Sequence, residues 1–407
     1  MVSIEDGLEL VYQESRPKAT ELIPIEKSLN RVISKNIQSR HSLPNFDNSA
    51  MDGYGVSIVD VGKRVKIEKT IFAGDEVEGV ELSAGSCFKI MTGAKIPKGV
   101  NAIIPFEDVE SPVDGYIQLP NSIKPNNHIR KAGEDIQIGE TIIQKGERIT
   151  PYTIGLLASQ GISHIEVFRK PKIVVFATGK ELKMHYETIA PHQIYNSNSP
   201  MIVAKSESLG ADVSFVNIAS DSKEEIKRAI QNSLYADMIV TSGGVSVGEA
   251  DKTKESFREL GMTTIFEKVD IKPGKPTTFG KIGDTLVLNL PGNPSAGLIN
   301  FEIFGKASIL GLSGDREKEL DVIDCEIGED LKVKPGKRTV VLGVFDGGVF
   351  RPLKKRAPGM VKPLAESNGF IILEKEVSKI EAGSFVKFIP TKFSWFSDFR
   401  KSLITYI

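Results

Sequence analysis

The stretch Asp237-Met-Ile-Val-Thr-Ser-Gly-Gly-Val-Ser-Val-Gly-Glu-Ala-Asp251 decides the fold of the central part of this chain. Its first six residues form a short, branched run typical of a strand buried on both faces, and a glycine-rich loop follows. A second such run, Thr285–Leu290, ends in Pro291-Gly-Asn-Pro294. In a parallel sheet, loops that leave the carboxyl ends of strands meet in one crevice where ligands bind. The two loops therefore predict a site for an anionic, nucleotide-like ligand.

Bulk composition limits the class of protein. The chain has 407 residues, so three or four domains are expected. Its formal net charge of -1 gives no electrostatic reason to expect nucleic acid as a partner. Cys87 and Cys325 are the only cysteines and the five histidines are scattered, which indicates neither disulfides nor a zinc site. Because no secretory signal or membrane-spanning run is found either, the expected compartment is the cytoplasm, without membrane association.

Strand and helix patterns alternate from residue 171 to residue 314. Strands are predicted near 172–177, 212–218, 237–242 and 285–290. Helices are predicted near 200–209, 222–234, 252–260 and 295–310. This alternation predicts a central three-layer α/β domain with a mostly parallel sheet over residues 171–314.

Three further domains are predicted around the central one. Glycine and proline recur in residues 45–139, which indicates an inserted β-rich domain. Helical patterns at 3–12, 26–33 and 151–160 predict a helical linking domain, discontinuous over 1–44 and 140–170, with Ser3 as a helix cap. Short strands and a hairpin turn at Gly347-Gly348 predict a small C-terminal β domain over 315–407.

Two familiar catalytic motifs fail on the sequence itself. Gly244-Val-Ser-Val-Gly248 fits the nucleophile elbow of α/β-hydrolases, but that fold needs its histidine after the serine. Every histidine here lies before residue 193, so this triad cannot form. Gly274-Lys-Pro276 resembles part of a P-loop, but Val269 stands where the first glycine is required.

Three carboxylates follow strands of the predicted parallel sheet. Glu181, Asp221 and Asp251 each lie at a strand's carboxyl end, although Asp221 and Asp251 could instead only cap helices. Carboxylates that converge from three strand ends are suited to hold Mg²⁺ or another divalent cation against phosphates. We therefore favour a metal site over three separate caps.

Positive charge is concentrated between the two glycine loops. Lys268, Lys272 and Lys275 fall within eight residues. Such a cluster is usually a solvated face, but here it could supply countercharge to an oxoanion or phosphate. In the inserted domain, polar blocks around Asp52, Thr92 and Asp135 are, taken singly, more typical of turns than of sites.

Seven blocks together resemble the molybdopterin molybdenumtransferase family, which includes bacterial MoeA and the E-domain of gephyrin. They fall in the family's order over about residues 1–390. The blocks are Asn48-Ser-Ala-Met-Asp-Gly-Tyr54, Lys89-Ile-Met-Thr-Gly-Ala94, Gly133-Glu-Asp-Ile136, Thr178-Gly-Lys-Glu-Leu182, Ser242 to Asp251, Ile271-Lys-Pro-Gly-Lys-Pro276 and Leu290-Pro-Gly-Asn-Pro294.

The resemblance implies an elongated four-domain homodimer whose sites lie between the α/β domain of one subunit and the inserted β domain of the other. The implied reaction inserts molybdate into adenylylated molybdopterin and releases AMP. It implies catalytic roles for Asp52, Thr92, Asp135, Glu181, Asp221 and Asp251, the last three also as metal ligands. Substrate binding is expected of Gly243, Gly244, Ser246, Gly248, Lys268, Lys272, Lys275, Pro291, Gly292, Asn293 and Pro294.

The chain departs from the family pattern at two places. Lys180 stands where aspartate is common, and Ala357-Pro-Gly-Met360 replaces a turn that usually contains serine, which puts in doubt what the C-terminal domain adds to the site. A gephyrin-like scaffold and a molybdopterin adenylyltransferase are the alternative functions. Molybdate and tungstate both fit this pattern, and other molybdenum-cofactor biosynthesis proteins are expected as partners.

Overall fold

The computed structural model describes residues 1–179, 181–218, 222–243 and 252–392. The chain separates into two compact units. The first comprises residues 1–34, 145–150 and 164–407, and the second comprises 35–144 and 151–163. The division into four domains stays a prediction.

A six-stranded mixed sheet is the centre of the first unit. All four predicted strands are confirmed, and they pair in parallel in the order Asp212–Ile218, Lys172–Thr178, Met238–Ser242 and Thr285–Leu290. Two strands that the sequence analysis did not predict, Thr278–Ile282 and Thr263–Glu267, extend the sheet in antiparallel pairing. The strand Thr263–Glu267 runs in the same direction as the four parallel strands. The segment 268–277, which connects it to Thr278–Ile282, therefore lies at the same edge of the sheet as the two glycine loops.

Helices cover both faces of this sheet, as expected for three layers. Along the strand Lys172–Thr178, Ile173 and Val175 enter the core on one face, and Val174 and Phe176 enter the core on the other. The predicted helices are found at Asn198–Ser208, Lys223–Ser233, Lys252–Glu259, Pro294–Asn300 and Lys306–Leu312. The last two replace one predicted helix, because a π-helical turn, Phe301–Gly305, separates them.

The N-terminal segment confirms one helix and corrects another. The helix Ile4–Glu14 is capped by Ser3, whose Oγ accepts a hydrogen bond from the Asp6 N–H at 3.0 Å. The helix predicted at 26–33 is wrong, since only a 3-10 turn, Ile25–Lys27, forms there. Asn30 adopts a φ of 63°, which ends the turn, and Val32 and Ile33 then form β-bridges that bury both side chains.

A closed five-stranded barrel follows the central sheet. Its strands are ordered Ile323–Ile327, Val349–Pro352, Thr339–Phe345, Gly369–Leu373 and Phe385–Pro390. The predicted hairpin is confirmed, with Gly347-Gly348 between two antiparallel strands. A short helix, Lys362–Glu366, precedes the fourth of these strands.

The second unit is built on a five-stranded sheet. Its order is Ala102–Pro105, Gly53–Val56, Ser86–Ile90, Arg64–Ile71 and Tyr116–Gln118. The helix predicted at 151–160 is confirmed as Pro151–Ser159. Within the described ranges of both units, no helix is long and apolar enough to cross a membrane.

Candidate functional site

A cleft opens at the carboxyl edge of the parallel strands, where the sequence predicted it. Its volume of about 380 Å³ suits a small molecule. Three strand ends and the amino end of the helix Asn198–Ser208 form its walls. The lining residues are Thr178, Glu181, Leu182, Ile194, Tyr195, Asn196, Ser197, Asn198, Ser242, Gly243, Gly292, Asn293 and Pro294.

The backbones of the two glycine loops approach each other closely in this cleft. Gly243 has a φ of 99°, and its N–H donates to the Leu290 carbonyl at 3.2 Å. A Cβ on residue 243 would lie 2.9 Å from the Thr178 carbonyl oxygen. A Cβ on Gly292 would lie 3.4 Å from the Cα of Gly243. The chain therefore requires glycine at residue 243, and the close approach leaves backbone rather than side chain at this point of the cleft.

Buried polar side chains in the lining of the cleft connect the strand ends that form it. The Asn198 amide donates to Ser242 Oγ at 2.7 Å and to the Gly292 carbonyl at 2.8 Å. The Thr178 hydroxyl lies 3.0 Å from the Thr253 hydroxyl. Sequence reasoning missed Asn198. The only signal was the polar block Asn196-Ser-Asn-Ser199 ahead of a helix, which is equally typical of a helix cap.

Of the three predicted metal ligands, Glu181 is the one within the described residues. Its side chain is exposed and lines the cleft beside Gly243 and Gly292. Asp221 and Asp251 lie outside the described residues, as do Lys180, Gly244, Ser246 and Gly248. Across the described ranges no group of three or more metal-binding side chains is found, so the Mg²⁺ site stays a prediction.

The three predicted lysines lie on the segment 268–277, at the same edge of the sheet. Lys268, Lys272 and Lys275 are all exposed, and they are not among the described residues that line the cleft. The turn that carries them packs against the helix Pro294–Asn300, since a Cβ on Gly274 would overlap the Asn300 amide. They therefore share an edge of the sheet with the cleft, and their part in substrate binding stays a prediction.

In the second unit, Asp52 and Thr92 form one hydrogen-bonded pair. The Asp52 carboxylate accepts from the Thr92 N–H and from the Thr92 hydroxyl, each at 2.7 Å. These two bonds, and then the charge of Lys89, lower the pKa of Asp52. Asp135 is exposed, and its N–H donates to the Leu43 carbonyl at 3.0 Å. The structure brings Asp52 and Thr92 together, and it shows no hydrogen bond from Asp135 to either within the described part of the chain.

The turn Ala357-Pro-Gly-Met360 touches the second glycine loop despite its departure from the family pattern. Ser295, next to Pro294, donates its N–H to the Pro358 carbonyl at 3.0 Å and its hydroxyl to the Met360 carbonyl at 2.9 Å. The C-terminal barrel therefore supports the wall of the cleft through backbone acceptors, which do not depend on a serine in the turn.

Comparison with known proteins gives consistent matches along the chain. Residues 2–161 match the model of the MoeA N-terminal region (domain I and II), and residues 174–310 match that of a probable molybdopterin binding domain. Residues 325–391 match the MoeA C-terminal region (domain IV).

Relatives that cover nearly the whole chain agree with these models. A molybdopterin molybdenumtransferase of Haemophilus influenzae is 34% identical over 92% of this chain and 94% of its own length. The Bacillus subtilis protein of that name is 31% identical over 95% of this chain and 93% of its own. A crystal structure of a molybdopterin biosynthesis MoeA protein from Pyrococcus horikosii is 30% identical and has a TM-score of 0.83, covering 97% of this chain and 100% of that one.

Proposed function

This chain belongs to the molybdopterin molybdenumtransferase family, and from that premise we propose that it inserts molybdate into adenylylated molybdopterin and releases AMP. The observation that carries this proposal is the cleft lined by Gly243, Gly292 and Glu181. It combines bare backbone, suited to phosphate, with the exposed carboxylate of Glu181. Tyr195 and Ile194 add an apolar wall, 46% and 58% exposed, against which a flat heterocycle can pack.

The residues of the cleft suit hydrolysis of a phosphoanhydride by water. Cysteine and histidine are absent from the described lining, so a covalent intermediate on either is not expected. The backbone N–H groups of Gly292 and Asn293 would bind the phosphates, since the Gly243 N–H is already donated to the Leu290 carbonyl. Glu181, together with Asp221 and Asp251, would hold Mg²⁺, which when bound would supply positive charge against the phosphate oxygens.

We further propose that the protein acts as a homodimer. In the family's arrangement, Asp52 and Thr92 of one subunit complete the site that carries Glu181 in the other. The Thr92 N–H and hydroxyl hold the Asp52 carboxylate in a fixed position, which supports a role for this charge. A cytoplasmic location and partners among other cofactor-biosynthesis proteins stay predictions.

The two alternative functions are less favoured. An adenylyltransferase needs only a lone α/β domain, whereas the family matches here extend over 2–161 and 325–391 as well. A scaffold without catalysis has no need of an exposed carboxylate beside bare glycine backbone.

The test is release of AMP from adenylylated molybdopterin by the purified protein, with molybdate and tungstate in separate reactions. Glu181→Gln removes one charge from the cleft, and we expect a loss of about 100-fold, as when one group that stabilises transition-state charge is removed. Glu207→Gln, an exposed glutamate on the helix Asn198–Ser208, is the matched control and should keep full activity. No AMP release by the wild type with either oxoanion would refute the proposal.

A further inference from the structure

Asn198 is placed to control both glycine loops at once. It is the first residue of the helix Asn198–Ser208 and is only 9% exposed. Its Nδ2 donates to Ser242 Oγ, at the end of one parallel strand, and to the carbonyl of Gly292, in the loop after the neighbouring strand. One amide group thus hydrogen-bonds to the last residue before the first glycine loop and to the second loop itself.

The same side chain carries an unsatisfied acceptor. Asn198 Oδ1 is buried and has no hydrogen-bond partner among the described residues. A buried acceptor without a partner lowers the stability of the folded state. An aliphatic side chain would avoid that cost, but it would leave the Ser242 hydroxyl and the Gly292 carbonyl without this donor. The requirement is for a donor that reaches both loops.

We propose that Asn198 is a positioning residue, which fixes the distance between the two glycine loops and thereby sets the affinity of the cleft for the phosphate part of its ligand. The inference rests on the proposed function, in which that ligand carries the AMP group. Gly243 and Gly292 are so close that a single Cβ would fill the space between them. A small separation of the loops would therefore move the backbone groups that bind phosphate out of register.

Two substitutions of Asn198 separate positioning from simple stability. Asn198→Ala removes both hydrogen bonds. Asn198→Asp keeps the shape but places a carboxylate oxygen against the Gly292 carbonyl, and it adds negative charge under a site for an anion. Asn368→Ala is the matched control, because the Asn368 side chain also makes two hydrogen bonds, both with the Phe345 backbone in the barrel, and does not line the cleft.

The experiment uses the full chain and AMP as the probe. We expect the Kd for AMP to rise about tenfold in Asn198→Ala, which corresponds to about 1.4 kcal/mol, and to rise further in Asn198→Asp. The KM for adenylylated molybdopterin should rise in parallel. In Asn368→Ala both constants should stay at the wild-type values, even if the melting temperature falls as far as in Asn198→Ala.

Hydrogen exchange without ligand gives a readout that does not depend on activity. In Asn198→Ala, amide exchange should become faster in peptides that contain Gly243 and in those that contain Gly292. Unchanged exchange in either loop, or faster exchange with unchanged AMP affinity, would overturn the positioning role. A wild type that neither binds nor releases AMP would refute the proposed function instead, and hydrogen exchange would still decide whether Asn198 joins the loops.

Discussion

At the scale of single residues, Thr92 is the main cause of the lowered pKa of Asp52. Both hydrogen bonds to its carboxylate come from Thr92, and they are the largest causes of its lowered pKa. The ionised form is therefore favoured in the folded state. Its contribution to stability is present above the ordinary aspartate value of 3.8 and is lost as the pH falls through the lower folded pKa.

We predict that Thr92→Val raises the pKa of Asp52 towards that ordinary value. The shift should be partial, because the N–H of residue 92 still donates. A carboxyl-carbon NMR titration of Asp52 measures it directly. Thr141→Val, an exposed strand threonine of the same unit, is the control and should leave the titration unchanged. An Asp52 titration that does not move in Thr92→Val would mean that the hydroxyl bond is not formed in solution.

Gly243 gives a second prediction at this scale. Gly243→Ala should lower stability by about 1–3 kcal/mol, because a side chain there is strained and meets the Thr178 carbonyl. AMP affinity should fall as well, since the loop must shift. Gly283→Ala is the control, because Gly283 also has a positive φ, 54°, but a Cβ there would meet nothing within 4 Å. If both variants lost AMP affinity equally, close packing at residue 243 would not be the cause.

At the scale of elements, a buried ion pair joins the helix Asn198–Ser208 to the π-helical turn Phe301–Gly305. Lys205 Nζ lies 2.8 Å from the Glu302 carboxylate and donates to the Thr391 carbonyl at 2.7 Å. Burial raises the pKa of Glu302, and the charge of Lys205 partly offsets this. Because the folded carboxyl holds its proton more tightly than the unfolded one, this group lowers stability as the pH rises above 4.5 through the raised pKa.

We predict that Lys205→Met costs about 3 kcal/mol at neutral pH, the lower end of the range for a broken buried pair, because Lys205 is partly exposed. The loss should shrink at acidic pH, where Glu302 is protonated. Urea unfolding at several pH values measures both effects. Adding Glu302→Gln to Lys205→Met should recover most of the stability at neutral pH. A double variant no more stable than Lys205→Met would show that the buried charge is not the source of the loss.

At the scale of the whole molecule, the homodimer proposal predicts complementation between inactive variants. Asp52→Ala and Glu181→Ala should each abolish AMP release. In a mixed dimer, one site carries both changes and the other carries neither. Random exchange makes about half of the dimers mixed, so roughly a quarter of all sites should be intact.

Mixing the two purified variants and measuring AMP release tests this arrangement. Recovery to about a quarter of wild-type activity would support a site shared between subunits. Exchange should be verified with differently tagged chains. If the tagged chains exchange and activity stays at zero, Asp52 and Glu181 do not act across a dimer.

Much of the fold was predictable from local sequence patterns. The four parallel strands, the cap at Ser3 and the hairpin at Gly347-Gly348 were predictable because each depends on neighbouring residues. The prediction of a helix at 26–33 was wrong because Val32 and Ile33 form β-bridges with residues more than 100 positions away. Long-range pairing overrode a helical pattern that was locally adequate.

The sequence by itself determined the family, through seven blocks in order, and the edge of the sheet where the cleft opens, since loops after parallel strands must meet there. Only the tertiary structure decided which side chains act together. It paired Asp52 with Thr92, and it placed the Asn198 amide between Ser242 and the Gly292 carbonyl. The reason is physical. Strand direction follows from short-range patterns, whereas a hydrogen bond between residues 94 positions apart depends on how the helix packs against the sheet.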